Sequence, residues 1–134
     1  MAAMQHEDLT RQIIGCAYKV YNTMGFGFLE SVYEKCMMIE LARLGLKALP
    51  QHPIAVCYDG QLVGEFYTDL WVDEAVIVEL KSVRAIATAH ETQLVNYLKA
   101  TGTDVGLVLN FGESKVEVKR KVRELPPLAS HDEA

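Results

Sequence analysis

The sequence has few cysteines, no long apolar run and no secretion signal. Its three cysteines, Cys16, Cys36 and Cys57, are about twenty residues apart. An odd number at that spacing excludes a disulfide framework and a compact zinc site, and it predicts a reducing, cytoplasmic location. No stretch approaches the roughly 18 apolar residues of a membrane-spanning helix. The first residues have neither the basic nor the apolar region of an export signal, so we expect neither a membrane protein nor a secreted one.

Positive charge is also scarce, and it is unevenly distributed. The chain has 13 Lys and Arg against 18 Asp and Glu, which gives a net charge of −5. This balance argues against a protein that coats nucleic acid, since such a protein would be basic. Residues 1–80 have 5 basic and 11 acidic side chains, whereas residues 81–134 have 8 and 7. The excess of negative charge therefore lies in the first part of the chain.

The chain does have enough hydrophobic side chains to form a core. Half of the 134 residues are hydrophobic and 23% are charged, proportions that exclude extensive disorder. We find no internal repeat and no second domain. The length and composition predict a single domain over residues 1–125 and a frayed tail over residues 126–134.

Hydrophobic periodicity predicts three helices. The first extends from about Glu7 to Met24. The second extends from about Leu29 to Leu44 and is followed by a glycine in the position of a C-terminal cap. The third begins at Thr88, because the segment from Thr88 to Glu91 has the pattern of a capping box, and it ends before Gly102.

Five segments are predicted to be strands. Asp59-Gly60 separates residues 54–58 from residues 62–72 and predicts a β-hairpin. Residues 75–81 and 105–111 are nearly continuous apolar runs, typical of strands covered on both faces, and the helix between them predicts a parallel pair. With an edge strand at residues 114–122, the order ααβββαβ(β) predicts an α/β fold in which helices flank a mixed sheet.

Glu79 and Lys81 interrupt the most apolar of these strands. They are two residues apart and so point to the same face, where charged side chains are rarely buried without partners. One interpretation is a structural Glu–Lys pair. Another follows from Asp69, because a three-residue loop centred on Glu74 places Asp69 opposite Glu79, and a divalent cation would remove the repulsion between the two carboxylates. A two-residue loop would shift the pairing by one residue and separate them.

Further polar side chains have both functional and ordinary interpretations. Glu30 lies in the first turn of the second helix, where a carboxylate also interacts favourably with the helix dipole. Gln93 and Tyr97 share one stripe of the third helix and could be solvated or could hydrogen-bond a phosphate, a base or the strand carboxylates. A basic run fits either phosphate contacts or an edge strand guarded by lysines; it consists of Lys115, Lys119, Arg120, Lys121 and Arg123.

Taken in order, these residues resemble the GxxExxY protein family, a small branch of the PD-(D/E)XK nuclease superfamily. Gly27-x-x-Glu30-x-x-Tyr33 resembles the motif that gives the family its name. Asp69 followed by Glu79-x-Lys81 resembles the acidic motif of the superfamily, and Gln93-x-x-x-Tyr97 is similar to the QxxxY element of RecB-like exonucleases. The resemblance extends from about Leu9 to Val122.

The resemblance implies a PD-(D/E)XK-like sandwich with an αβββαβ core and a nuclease that depends on Mg²⁺, with Mn²⁺ as a substitute. The implied metal ligands are Asp69, Glu79, the Leu80 carbonyl and Glu30. Lys81 would be the catalytic lysine, with Gln93 and Tyr97 as supporting residues. The implied partner is nucleic acid, DNA rather than RNA, without membrane association; a homodimer or a protein partner remains open.

Two other functions fit the same sequence. One is a catalytically silent nuclease fold that binds nucleic acid or a protein partner, since 134 residues leave little room for a substrate-recognition domain. The other is an ordinary structural or oligomerisation domain, which predicts that Asp69 and Glu79 diverge in space.

Overall fold

The computed structural model describes residues 6–123, which form three helices and five strands. The element order is the predicted ααβββαβ(β), with the final strand present. The predicted tail, residues 126–134, lies outside the described residues. The helices are α1 (Glu7–Met24), α2 (Glu30–Arg43) and α3 (Thr88–Thr101), and the strands are β1 (Ala48–Tyr58), β2 (Gln61–Val72), β3 (Val76–Lys81), β4 (Val105–Phe111) and β5 (Val116–Val122).

The five strands form one mixed sheet in the order β1-β2-β3-β4-β5. β3 and β4 are parallel, as the helical crossover predicts, and the other neighbours are antiparallel. Asp59 and Gly60 form the turn between β1 and β2 with φ values of 51° and 73°, the left-handed conformations that a two-residue hairpin turn requires. The predicted fold class, a single α/β domain with helices flanking a mixed sheet, is confirmed.

Helices cover both faces of the sheet. α1 and α2 pack on one face, where Tyr33 stacks on Phe111 with ring centroids 4.2 Å apart. α3 packs on the other face, where Leu94 and Leu98 join Ile77 in a second core cluster. β3 and β4 lie between the two layers, which explains why their sequences are apolar at nearly every position. In the described part of the chain, no helix is both long enough and apolar enough to cross a membrane.

The alternation of side chains along β1 and β2 reverses where Gln51 faces Asp69. Leu70 belongs to the core under α1 and α2, whereas Phe66, four residues earlier on the same strand, contacts Tyr97 of α3. Gln51 has a φ of 51°, and the β1–β2 ladder skips the pair between Gln51 and Asp69 although the residues on either side of both are paired. The reversal therefore places Asp69 at a local interruption of the sheet.

β1 and β2 also extend well beyond the rest of the sheet. β2 pairs with β3 only through residues 70–72, but it pairs with β1 along nearly its whole length. Residues 53–67 thus form a two-stranded ribbon, which we call the β-arm. α3 covers one face of the β-arm at Ile54. The β-arm exposes five large apolar side chains, Tyr58, Leu62, Val63, Phe66 and Tyr67.

The predicted capping box at the start of α3 is wrong. Ala87 is the N-cap residue, and its N–H donates to Nδ1 of His90 at 3.1 Å. The N-cap residue therefore lies one residue earlier than the box requires, although α3 begins at Thr88 as predicted. The imidazole takes the place expected for the Glu91 carboxylate. Glu91 instead forms an ion pair with Lys121 at 2.6 Å.

Candidate active site

Asp69 and Glu79 lie side by side where β2 and β3 separate. The ladder between the strands ends at Leu70 and Val78, and its register continues to place Asp69 opposite Glu79, as the three-residue loop predicts. The N–H of Leu80 donates to Oδ2 of Asp69 at 2.7 Å, and the N–H of Asp69 donates to Oε2 of Glu79 at 3.1 Å. Each carboxylate thus accepts a main-chain hydrogen bond from the other strand. The divergence expected for a purely structural domain is not observed.

Glu79 is buried, with 5% of its surface exposed. Its Oε2 also accepts a hydrogen bond from the hydroxyl of Thr68 at 2.6 Å. Burial, and after it the charge of Asp69, raises the pKa of Glu79 to about 7, although these hydrogen bonds and Lys81 act in the opposite direction. The pair is therefore a place where a second negative charge is unfavourable and a cation is favourable.

Lys81 is the last residue of β3, on the same face as Glu79, and it is half-buried. Its charge favours the ionised form of Glu79. Its ammonium group forms no hydrogen bond or ion pair with a residue between 6 and 123. A cation next to two carboxylates and without a partner of its own is suited to contact a bound anion.

Two polar side chains, Asn110 and Ser82, hold the loop that follows Lys81 through three hydrogen bonds. Asn110, which is fully buried, accepts a hydrogen bond from the N–H of Val83 at 2.9 Å and donates one to the Val83 carbonyl at 2.8 Å. The hydroxyl of Ser82 donates to the carbonyl of Phe28 at 2.8 Å. The main chain beside Lys81 is therefore held both by β4 and by the loop between α1 and α2.

Tyr33 shapes that loop from the core. Its hydroxyl donates to the carbonyl of Gly25 at 2.5 Å and accepts a longer hydrogen bond from the N–H of Phe28 at 3.4 Å. The loop needs Gly27, whose φ of 115° is accessible to few other residues. Tyr33 of the predicted motif thus lies in the core and acts on the site through the loop that contacts Ser82.

We expect Tyr33→Phe to loosen this loop while the core remains packed. The variant leaves the Gly25 carbonyl without its donor, which should lower the free energy of unfolding by about 1–2 kcal/mol. Hydrogen exchange at the amide of Phe28 should become faster. Tyr21→Phe is the matched control, because the hydroxyl of Tyr21 donates to the carbonyl of Gly112 at 2.6 Å, in a different loop. Equal exchange at Phe28 in the two variants would contradict the role of Tyr33.

The structure joins Glu34, and not Glu30, to the carboxylate pair. Nε2 of Gln51 donates to Oε1 of Glu34 at 2.7 Å and to Oδ1 of Asp69 at 3.4 Å. Glu30 is exposed at the first turn of α2, and its side chain forms no hydrogen bond or ion pair within residues 6–123. The sequence offered one signal for Glu34, its spacing of one turn from Glu30. It offered none for Gln51, whose position opposite Asp69 depends on the register of β1.

Gln93 and Tyr97 of α3 are bonded to each other near the carboxylates. Nε2 of Gln93 donates to the hydroxyl of Tyr97 at 2.9 Å. Burial, followed by the charge of Glu79, raises the pKa of Tyr97. The Tyr97 hydroxyl consequently stays protonated at neutral pH and can donate a hydrogen bond.

The basic run lies on and beside β5, an edge strand. Lys121 pairs with Glu91 at 2.6 Å, and Arg123 pairs with Asp104 at 2.7 Å. Lys115 is exposed and forms no side-chain ion pair with a described residue. Intramolecular pairs thus engage part of the run predicted for phosphate contacts.

Carboxylate oxygens are the ligands that a small divalent cation such as Mg²⁺ prefers. Across residues 6–123, no three His, Cys, Asp or Glu side chains gather at a point where they could hold a metal ion. Mg²⁺ needs only one or two carboxylates, since it keeps several waters. Oε1 of Glu79 accepts no hydrogen bond from a described residue, and Oδ1 of Asp69 accepts only the 3.4 Å contact from Gln51. One oxygen of each carboxylate therefore remains available to a cation.

Comparisons with known proteins identify the superfamily and the fold of the chain. A model of the PD-(D/E)XK nuclease superfamily matches residues 7–121. Among solved structures, the crystal structure of SSO0001 has a similar fold with a TM-score of 0.56 and 13% sequence identity, and the alignment covers 93% of this chain and 61% of that chain. A search of curated proteins gives no match. Because the family model spans most of its length, the chain belongs to the PD-(D/E)XK nuclease superfamily.

Proposed function

We propose that the protein is a Mg²⁺-dependent nuclease that hydrolyses phosphodiester bonds at the site formed by Asp69, Glu79 and Lys81. The proposal depends above all on one observation: a buried carboxylate lies beside a second carboxylate and near an ammonium group that has no partner among residues 6–123. Burial and repulsion raise the pKa of Glu79 to about 7, so the arrangement opposes folding when both groups are charged. A bound cation would make the same arrangement favourable. Membership of a nuclease superfamily supports this chemistry.

Each residue would have a definite role. Asp69 and Glu79 would hold the ion together with the Leu80 carbonyl, whereas Glu30, the further carboxylate that the resemblance implies, lies outside the cluster formed by the described residues. When bound, Mg²⁺ would supply Lewis-acid stabilisation of the negative charge that develops on the phosphate. Nζ of Lys81 would donate a hydrogen bond to the attacking water and polarise it.

Gln93 and Tyr97 would support the same reaction from α3. The protonated hydroxyl of Tyr97 would donate to a phosphate oxygen, and Gln93 would keep that hydroxyl in position through the 2.9 Å hydrogen bond. Neither group needs to change its protonation state. Both would therefore act on binding and orientation.

Several finer features belong to the same proposal. We assign the chain to the GxxExxY branch on the motif at Gly27, Glu30 and Tyr33, with one domain over residues 1–125. We expect Mn²⁺ to replace Mg²⁺ and DNA to be preferred to RNA. A reducing, cytoplasmic location is supported by the three cysteines, none of which forms a disulfide.

A metal-dependent cleavage panel tests the proposal. Purified protein is incubated with labelled single- and double-stranded DNA and RNA in Mg²⁺, in Mn²⁺ and in EDTA. Cleavage is expected with either metal and not in EDTA, and Asp69→Asn should abolish both cleavage and calorimetric Mg²⁺ binding. Glu65→Gln, which removes one exposed negative charge from the β-arm, is the matched control and should behave as the wild type. Cleavage in EDTA, or full activity of Asp69→Asn, would refute the proposal.

The alternative function is a nuclease fold that binds without cutting. One observation favours it, the lack of a third carboxylate in the cluster formed by the described residues. This alternative predicts that calorimetry detects oligonucleotide binding but no Mg²⁺ binding at millimolar concentration. If calorimetry detected binding of both the oligonucleotide and Mg²⁺, the alternative function would be excluded in favour of the nuclease.

A further inference from the structure

We propose that the groove between α3 and the β-arm binds one unpaired base of a nucleic-acid strand whose phosphate lies at the carboxylate pair. The inference rests on the proposed function, because it takes nucleic acid as the ligand. It adds that the strand must be single-stranded, or locally unpaired, at this point.

The groove has the dimensions of a site for a small aromatic group. Its volume is about 770 Å³, within the range of roughly 300–1,000 Å³ that is typical of pockets for small ligands. Val56 and Phe66 of the β-arm form one wall, and Asn96, Tyr97 and Lys99 of α3 form another. Such a mixture of aromatic faces, an amide and an ammonium group matches the surface of a nucleotide.

Phe66 presents an aromatic face to the groove. It lies on the side of the β-arm that faces α3, yet 46% of its surface is exposed. Its ring centroid is 5.8 Å from that of Tyr97 and the rings are tilted by 38°, so Tyr97 does not cover it by parallel stacking. A base could stack on the remaining face, a contact that every base can make regardless of sequence.

Lys99 supplies charge complementarity at the rim of the groove. It forms no ion pair with any residue in the range 6–123, whereas Glu91, the acidic side chain in the first turn of the same helix, is engaged by Lys121. A lysine that no described side chain neutralises, beside an aromatic groove, favours a phosphate-bearing ligand over a neutral apolar one. Asn96 offers both a donor and an acceptor to the edge of a base.

The groove and the carboxylate pair meet at Tyr97. Tyr97 lines the groove, and the charges of Glu79 and Asp69 act on its hydroxyl. Because the ring of Phe66 is 5.8 Å from that of Tyr97, a base on Phe66 and a phosphate at the carboxylates would belong to neighbouring parts of one strand. In a duplex the base is paired and stacked and cannot enter the groove without being extruded. The geometry thus favours an unpaired strand.

Fluorescence anisotropy with labelled oligonucleotides tests this inference. The probes are a short oligothymidylate and a duplex of equal length, both in Ca²⁺ so that a cation is present at the carboxylates. Phe66→Ala should weaken binding of the single strand about 5- to 100-fold, the effect of losing one base stack, and Phe66→Trp should retain binding. Tyr67→Ala is the matched control, because Tyr67 is 59% exposed on the opposite face of the β-arm and does not line the groove. This variant should bind the single strand with the affinity of the wild type.

Three outcomes would overturn the inference: equal affinities of Phe66→Ala and Tyr67→Ala, a duplex that binds as tightly as the single strand, or no binding of the single strand by the wild type. The two proposals can fail separately. A wild type that cleaves while Phe66→Ala binds normally refutes the base site and leaves the nuclease intact. A wild type that binds through Phe66 but never cuts refutes the nuclease and leaves the base site intact.

Discussion

With Mg²⁺ present, Lys81→Met should slow phosphodiester cleavage about a hundredfold to ten-thousandfold, the usual contribution of one positioned proton donor. Methionine retains much of the length of the side chain and removes the charge. Because the ammonium group has no partner among the described residues, its removal leaves no polar group unsatisfied, and the free energy of unfolding should change little. The loss should therefore appear in the single-turnover rate at saturating substrate.

Lys47→Met is the matched control for this variant. Lys47 is exposed just before β1. Its main-chain N–H donates to Asp73 in the turn between β2 and β3, so its replacement removes the same charge at the end of β3 opposite Lys81. It should cleave at the rate of the wild type, and both variants should show the same Mg²⁺ affinity within a few fold. Wild-type rates in Lys81→Met would show that Lys81 has no part in the chemistry.

Without divalent cations and above pH 7, Glu79→Gln should increase the free energy of unfolding by roughly 3 kcal/mol. The fold raises the pKa of Glu79 from 4.5 to about 7, so between these pH values the folded protein keeps a proton that the unfolded chain releases. The stability that protonated Glu79 contributes is complete below pH 4.5 and is lost as the pH rises through about 7. Glutamine can still accept from Thr68 and from the N–H of Asp69 but does not ionise.

Urea unfolding in EDTA across this pH range measures the effect. The wild type should lose stability from pH 4.5 to above 7, and Glu79→Gln should lose less of it. Glu113→Gln, which replaces an exposed carboxylate, should follow the wild type. Added Mg²⁺ should restore the stability of the wild type at high pH and should have little effect on the stability of Glu79→Gln. If the free energy of unfolding changed with pH in the same way for the wild type and Glu79→Gln, the destabilising effect assigned to ionised Glu79 would be refuted.

The arrangement of Asp69 and Glu79 could be predicted because an antiparallel hairpin pairs residues at equal distances from its centre. Counting outward from Glu74 gives this pair for a three-residue loop, and the observed register shows that loop and not the two-residue alternative. The element order followed similarly from local signals, such as Asp59-Gly60 for the hairpin. These features depend on residues close in sequence, where propensity and turn chemistry are informative.

Gln51 and the choice between Glu30 and Glu34 depend on contacts distant in sequence. The first strand was predicted to begin at residue 54, whereas β1 begins at Ala48, so no register placed Gln51 beside Asp69. Its left-handed φ has no signal in the sequence, because glutamine is not a residue that favours that region. Glu30 and Glu34 lie one turn apart, and only the path of β1 past α2 decides which of them reaches Gln51.

The length of the β-arm can change without a change in the position of the carboxylate pair. Because β2 pairs with β3 only through residues 70–72, residues inserted in pairs at the Asp59-Gly60 turn would lengthen the ribbon by about 3.3 Å for each residue added per strand. Such insertions would leave the ten-residue spacing from Asp69 to Glu79 intact. Homologous chains can therefore differ in the length of this hairpin and retain the carboxylate pair, whereas a single insertion between Asp69 and Glu79 would separate it.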